Sequence, residues 1–182
     1  MNKIFCVTGL TGSGKSVVGE YLKTKNFLYL RFGQLTIDEL EKRGLEVNEV
    51  NERMVREELR EKHGMAAYAT LNLAKFDELI KMGNVIGDGL YSWEEYKIMK
   101  EHFGEKLVVV AVYASPKLRY LRLKTRKERP LTEDEARSRD YSELEILNKG
   151  GTIAMADHTI VNSQDQNYLL KQIDDILTTE LG

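Results

Sequence analysis

The chain has 182 residues, of which 42% are hydrophobic and 31% charged, and its formal net charge is −2. This length and composition favour a single α/β domain, residues 1–182, that buries its core without disulfides. The nearly balanced charge gives no general attraction to nucleic acid or to an anionic membrane, so neither is expected as a partner and any phosphate has to be bound at a focused site.

The first predicted elements are a strand, a glycine-rich loop and a helix. Residues 3–8 form an apolar run typical of a buried strand, and residues 17–22 continue with helical spacing. Between them, residues 9–16 read Gly-Leu-Thr-Gly-Ser-Gly-Lys-Ser and fit the pattern G-x-x-x-x-G-K-[ST] at every fixed position. In this pattern the backbone N–H groups surround an anion, Lys15 carries charge to the outer phosphates and Ser16 offers its hydroxyl to Mg²⁺. The loop therefore predicts a nucleoside triphosphate site.

A second strand and a long helical segment are predicted next. Residues 27–32 form a short apolar run consistent with a strand, which Gly33 ends. From there to residue 82 the apolar residues recur at helical intervals, with Gly44 as a helix cap. Residues 34–82 are therefore expected to be an all-helical block between two strands.

Asp88 ends the third predicted strand, residues 84–88. A carboxylate at the carboxyl end of such a strand lies in the crevice where open α/β sheets bind ligands. Asp88 is thus a candidate to hold a water on Mg²⁺ or to face a phosphoryl acceptor, and the alternative is a Gly-Asp-Gly turn with no chemical role. Tyr91, Trp93 and Tyr96 follow closely and are interpreted either as acceptor-pocket residues or as core packing.

The remaining strands are predicted at residues 107–113 and 158–161, with helices at residues 93–103, from Pro116 onward and at residues 166–177. Strands that are apolar throughout indicate a parallel sheet covered on both faces. The lone cysteine, Cys6, lies on the first predicted strand and is expected to be a core residue. We see no signal-like start and no run long enough to span a bilayer, and we expect a reducing, cytoplasmic setting.

The helix that starts at Pro116 carries Arg119, Arg122 and Arg126 and continues into an arginine-rich stretch. It includes Arg122, Arg126, Arg129 and Arg137, and residues 127–140 contain few apolar anchors. Arginines on a mobile lid could close over ATP and stabilise the charge of a transferring phosphoryl group. The alternative is a solvated helix face whose arginines pair with neighbouring carboxylates.

Taken together, these residues resemble the nucleoside monophosphate kinase-like branch of P-loop proteins, which includes adenylate kinase and dephospho-CoA kinase. The resemblance covers nearly the whole chain and is closer still to the group described as dephospho-CoA kinase-related proteins or predicted nucleotide kinases. Besides the phosphate loop, the motifs that carry it are Arg31-Phe32-Gly33, Arg43-Gly44-Leu45, Glu57-Glu58-Leu59-Arg60, Gly87-Asp88-Gly89, Ala114-Ser115-Pro116, Arg139-Asp140 and Ala156-Asp157-His158-Thr159-Ile160-Val161-Asn162.

The resemblance implies a three-layer P-loop NTPase fold with a five-stranded parallel sheet in the order 2-3-1-4-5. It also implies a helical acceptor-binding insert at residues 34–82 and a lid at residues 127–140. ATP and Mg²⁺ would be the cofactors, with Lys15, Asp88 and Arg126 as catalytic residues. The ATP phosphates would be bound by Gly9, Thr11, Gly12, Ser13, Gly14, Lys15, Ser16 and Val17. By position, the resemblance also places Arg122 and Asn162 near adenine. The remaining candidates are Arg129 and Arg137 in the lid, Arg31, Gln34 and Tyr91 for the acceptor, and Ser16 with Asp88, through water, for the metal.

This chain lacks two arginines that commonly bind the acceptor phosphate in adenylate kinase-like proteins. Those proteins follow the second strand with Gly-Asp and then an arginine, whereas this chain has Gly33-Gln34-Leu35-Thr36-Ile37. They also often place an arginine after the Asp-Gly pair, whereas Gly89 is followed here by Leu-Tyr-Ser. The Asp-rich turn of dephospho-CoA kinase is absent as well. Arg31 is the candidate substitute, and the identity of the acceptor stays open.

The sequence therefore predicts a Mg-ATP-dependent kinase that moves the γ-phosphoryl group to a nucleotide or a related small metabolite. The alternative is an ATP-binding switch or slow ATPase that regulates a partner. A nucleic-acid-modifying kinase is disfavoured by the net charge of −2. We expect a monomer or a weak homo-oligomer.

Overall fold

A parallel sheet of five strands forms the centre of the protein, and a computed structural model describes the whole chain, Met1–Gly182. The strands are β1 (Ile4–Thr8), β2 (Leu28–Arg31), β3 (Val85–Asp88), β4 (Leu107–Tyr113) and β5 (His158–Val161). They lie in the order β2-β3-β1-β4-β5, and every neighbouring pair is parallel. The predicted fold class and strand order are confirmed.

The helices connect the strands and cover both faces of the sheet. They are α1 (Lys15–Thr24), α2 (Gln34–Lys42), α3 (Glu49–His63), α4 (Ala67–Met82), α5 (Trp93–Phe103), α6 (Pro116–Thr125), α7 (Glu133–Glu145), α8 (Lys149–Ala154) and α9 (Gln166–Leu181). The segment of residues 34–82 is helical as predicted and consists of α2, α3 and α4. None of the helices combines the length and the apolar character that crossing a membrane would require.

The core lies on the two faces of the sheet, because successive strand residues point to opposite sides. Ile4 and Cys6 of β1 pack with residues of α4 and α5. Phe5 and Val7 of the same strand pack with residues of α1 and α9. Cys6 is fully buried, as predicted. Burial also raises the pKa of its thiol well above the ordinary value, which disfavours the reactive thiolate.

The predicted lid contains two kinds of structure. Residues 126–132 form a loop, and α7 begins at Glu133 behind a capping box in which Thr132 and Glu135 bond each other's backbone. The helix is anchored to α6 by Arg119 and Asp140, whose two contacts are both 2.6 Å long and buried. The loop is tied to α6 by the backbone N–H of Leu131, which donates to the carbonyl oxygen of Leu123 at 3.1 Å. Closure of the segment over a ligand stays a prediction.

Candidate active site

The phosphate loop joins β1 to α1 at the carboxyl end of the central strand. Its glycines allow neighbouring segments to pack closely against it. Gly9 and Gly14 have φ values of +138° and +105°, which favour glycine. A Cβ on Gly9 would lie 2.4 Å from the carbonyl oxygen of Val112, and one on Gly14 would lie 2.2 Å from Asn162 Nδ2. The loop is therefore pressed against β4 and the segment after β5, which fixes the direction in which it opens.

Lys15 lies over this loop. Its ammonium donates to the carbonyl oxygens of Gly9, at 2.7 Å, and Leu10, at 3.1 Å. Burial, followed by repulsion from Lys149, lowers its pKa to about 8. Because burial and Lys149 disfavour the charged form of Lys15, any anion that enters the loop would stabilise this ammonium.

Ser16 is the residue predicted to hold Mg²⁺. It is the second residue of α1, is exposed, and makes no hydrogen bond through its hydroxyl. Mg²⁺ prefers hard oxygen ligands, keeps several waters and usually shares phosphate oxygens, so a free hydroxyl beside a phosphate loop fits it. No group of three or more His, Cys, Asp or Glu side chains forms a separate metal site.

Asp88 borders a cavity of about 430 Å³ that extends from the ends of β2 and β3 to helices α2 and α3. Its carboxylate accepts a hydrogen bond of 2.6 Å from the hydroxyl of Tyr29. Arg31 and Tyr91 line the same cavity, so both predicted acceptor contacts are brought together with Asp88 there. Gln34 is not among the lining residues, and its amide donates to Asp38 on the exposed side of α2.

The cavity also holds arginines that the sequence analysis did not assign. Arg56 and Arg60, one turn apart on α3, both line it. Arg56 is paired with Glu49 at 2.8 Å and Glu52 at 3.3 Å. Arg60 has no carboxylate partner, and its buried Nε has no hydrogen-bond acceptor. An amphipathic helix pattern shows that α3 has a buried side, but it does not show which arginine faces a cavity.

Glu95 is a buried carboxyl group in the wall of this cavity. It accepts hydrogen bonds from the backbone N–H groups of Tyr91, at 2.8 Å, and Ser92, at 3.0 Å. Burial raises its pKa to about 7, although these hydrogen bonds oppose the shift. Glu95 therefore changes its charge near neutral pH.

This titration predicts a pH-dependent stability that Glu95→Gln removes. Because the Glu95 pKa is raised from 4.5 to about 7, the folded state binds more protons than the unfolded state between those values. The free energy of unfolding should then fall as pH rises through this window, by roughly 1–3 kcal/mol. Glutamine keeps an acceptor oxygen and does not titrate. Urea unfolding at pH 5 and pH 8 should show a smaller loss for Glu95→Gln than for the unmodified protein, and equal losses would contradict the prediction.

The two residues predicted to lie near adenine, Arg122 and Asn162, meet behind the phosphate loop. Asn162 Nδ2 donates to the carbonyl oxygen of Ser13 at 2.7 Å. Arg122 donates to the carbonyl oxygen of Asn162 at 3.0 Å and lies 3.5 Å from that of Ser13. Both side chains thus support the loop, and their contact with adenine stays a prediction. Arg119 supports it from the other side by donating to the carbonyl oxygen of Thr11 at 3.1 Å.

The predicted lid arginines are spread over different surroundings. Arg129 lines the cavity beside Asp88. Arg126 donates through Nε to the carbonyl oxygen of Arg129 at 2.6 Å, at the start of the loop. Arg137 is exposed on α7 and pairs with Glu133 at 3.1 Å. Of these residues, only Arg129 is in the cavity wall.

A charged cluster that the sequence analysis missed reaches the phosphate loop. The carboxylate of Glu143 accepts hydrogen bonds from the backbone N–H of Thr11, at 3.1 Å, and from its hydroxyl. Lys149 Nζ lies 2.9 Å from the same carboxylate, and Arg139 Nε lies 3.5 Å from it. Burial alone would raise the pKa of Glu143, but Lys149, the Thr11 hydroxyl and Lys15 lower it below its ordinary value. Glu143 is therefore ionised at the loop.

Comparison with known proteins shows the family of this chain. Residues 5–148 match the AAA domain family. The UPF0200 protein of Thermococcus gammatolerans is 36% identical over 174 residues, which cover 93% of this chain and 91% of that protein. In that alignment nearly the whole of both chains is included.

Solved structures share the fold at low sequence identity. TT1252 from Thermus thermophilus is 18% identical, with a TM-score of 0.68 over 98% of this chain and 97% of that chain. Shikimate kinase from Bacteroides thetaiotaomicron is 15% identical, with a TM-score of 0.60 over 97% of each chain. These structures support a P-loop kinase-like fold. By its sequence relatives, the chain belongs to the AAA domain family and to the UPF0200 protein family.

Proposed function

We propose that this protein is a Mg-ATP-dependent kinase that transfers the γ-phosphoryl group of ATP to a small-molecule acceptor. The observation that carries the proposal is that the phosphate loop adjoins a separate cavity. Val7, just before the loop, is paired with Asp88 in the sheet, and Asp88 borders the cavity. Asp88 is also close enough to Lys15 to oppose the lowering of the Lys15 pKa. ATP in the phosphate loop and a phosphoryl acceptor in the cavity could thus be held on either side of the place where Lys15 and Asp88 approach each other.

In this mechanism the chain provides position and charge. The N–H groups of the loop and the N-terminus of α1 would bind the phosphates, and Lys15 would exchange its two carbonyl partners for phosphate oxygens. When bound at Ser16, Mg²⁺ would neutralise charge on the phosphates. Asp88, oriented by the hydroxyl of Tyr29, would accept the proton of an acceptor hydroxyl or hold its oxygen in line.

We propose a nucleotide or a related anionic metabolite as the acceptor. The support is a set of cavity arginines without carboxylate partners, namely Arg31, Arg60 and Arg129. They could replace the two acceptor-phosphate arginines that the sequence lacks. Arginine binds phosphate and carboxylate groups through paired N–H donors. The resemblance to dephospho-CoA kinase-related proteins adds dephospho-CoA as a candidate, and the fold shared with a shikimate kinase adds hydroxylated carboxylic acids.

The test is ATP consumption with Mg²⁺ against a panel of acceptors. The panel would contain ribo- and deoxyribonucleoside monophosphates, dephospho-CoA, shikimate and a reaction without acceptor. We expect turnover that depends on one acceptor class, with the phosphorylated product identified by mass spectrometry. ATP that is bound but consumed at the same rate with and without every acceptor would reject the kinase and favour the ATP-driven switch or slow ATPase.

Arg60→Gln should weaken acceptor binding once an acceptor is known. The guanidinium of Arg60 lies in the cavity wall without a salt-bridge partner, and its Nε is buried without an acceptor atom. Losing a charged hydrogen bond to substrate costs roughly 1.5–3 kcal/mol, so KM for the acceptor should rise about tenfold or more while KM for ATP stays within about threefold. Arg53→Gln is the matched control, because Arg53 is exposed on the same helix and pairs with Glu57. An unchanged acceptor KM in Arg60→Gln would exclude this contact.

A further inference from the structure

We infer that Lys149 is a second phosphate-contacting cation of the site, and that Glu143 is the positioning residue that holds it. The contact would be made with the terminal phosphoryl group of ATP. This inference rests on the proposed function, because it places an ATP phosphate chain in the loop. It adds residues that neither the loop motif nor the predicted lid contains.

The position of Lys149 is between the phosphate loop and the acceptor cavity. Its Nζ is 2.9 Å from the carboxylate of Glu143, which accepts hydrogen bonds from Thr11 in the loop. On the other side, the same Nζ lies 4.3 Å from the centre of the Tyr91 ring, and Tyr91 lines the cavity beside Asp88. The side chain is only 2% exposed. One buried ammonium thus adjoins both halves of the site.

The ammonium of Lys149 has bonding capacity that the protein does not use. It has three N–H donors, and one hydrogen bond, to Glu143, is formed. Lys149 and Lys15 are also near enough for Lys149 to disfavour the charge of Lys15. Two cations that approach each other in a buried site repel, and an anion placed between them turns this repulsion into attraction. The phosphoryl group at the end of the loop is such an anion.

The helix that carries Lys149 is fixed rather than free. Thr152 of α8 donates to the carbonyl oxygen of Ser92 at 2.9 Å. Gly151 packs against the Trp93 ring so closely that an added Cβ would lie 3.0 Å from ring carbons. Because α8 is held against the start of α5, the direction of Lys149 is set by the fold, and Glu143 fixes the end of the side chain.

The test compares the affinities for a non-hydrolysable ATP analogue and for ADP by titration calorimetry with Mg²⁺. Lys149→Met alone would leave Glu143 as an unpaired buried charge and could destabilise the fold. The double variant Glu143→Gln with Lys149→Met removes both charges, and thermal unfolding should show that it is more stable than Lys149→Met. We expect it to bind the ATP analogue at least about tenfold more weakly, while ADP affinity stays within about threefold. Glu143→Gln alone should also lower the ratio of ATP-analogue affinity to ADP affinity.

A structural ion pair and a phosphate contact give different results. If the double variant kept the unmodified ratio of ATP-analogue to ADP affinity, the pair would be purely structural and the inference would be overturned. The same conclusion would follow if the unmodified protein did not distinguish the two ligands. Lys171→Met is the control, because Lys171 is exposed and pairs only with Asp175. A protein without acceptor-dependent turnover, but with the expected affinity ratios, would reject the kinase and retain the role of Lys149.

Discussion

Lys15→Ala is expected to lower kcat/KM for ATP by roughly 10³-fold or more, because it removes the charge that stabilises the transferring phosphoryl group. The fold should not be weakened by the same change. Burial lowers the pKa of Lys15 from 10.5 to about 8, so the folded state holds its ammonium at a cost of at most about 3 kcal/mol at neutral pH. Alanine removes this cost and also the hydrogen bonds to Gly9 and Leu10. Steady-state kinetics together with urea unfolding would measure both effects.

The control for this prediction is Lys25→Ala. Lys25 directly follows the helix that Lys15 begins, is exposed, and pairs with Asp174 at 3.1 Å. It should keep turnover within about twofold, as expected for a surface ion pair. Near-normal activity in Lys15→Ala would contradict the assignment of the phosphate loop. A large loss of unfolding free energy would show instead that the lysine acts by supporting the loop.

Most of the fold could be predicted because its signals are local. The apolar run of β4 (Leu107–Tyr113) has the predicted bounds, since every residue but the last is buried. Helix α5 (Trp93–Phe103) also has them, since Ser92 and Glu95 form a capping box at its start. The order of the strands was supplied by the resemblance to P-loop proteins, because apolar runs alone do not show which strands are neighbours.

The candidate site could be predicted where it depends on a motif, and not where it depends on tertiary contacts. The phosphate loop is such a motif. Lys149, in contrast, precedes two glycines in a segment that is typical of a turn, and its partner Glu143 lies in a charged stretch. Arg119 shows the converse case, since it belonged to the predicted arginine-rich helix but is buried against Asp140. Whether a charge faces solvent, a partner or a ligand is decided by packing between helices.

Asp88→Asn should lower kcat by roughly 10²–10⁴-fold while the Kd for ATP changes by less than about threefold. Asparagine has nearly the same shape and can still accept the hydrogen bond from Tyr29, but it neither carries charge nor accepts a proton. Asp77→Asn is the control, because Asp77 is exposed and contacts His102. If Asp88→Asn lowered only the free energy of unfolding, with normal turnover per folded molecule, Asp88 would be a turn residue.

The same variant distinguishes the two chemical roles of Asp88. If the carboxylate holds a water on Mg²⁺, the variant should need a higher Mg²⁺ concentration for half-maximal rate, and excess Mg²⁺ should restore part of kcat. If it faces the acceptor, the Mg²⁺ dependence should be unchanged and the loss should persist at saturating metal. Tyr29→Phe keeps the carboxylate of Asp88 and removes its 2.6 Å hydrogen bond. We expect this variant to show the same Mg²⁺ dependence as Asp88→Asn, with kcat at about a tenth of the unmodified value. Because Asp88 lines the cavity together with Arg31, its register partner on β2, we expect the acceptor pattern.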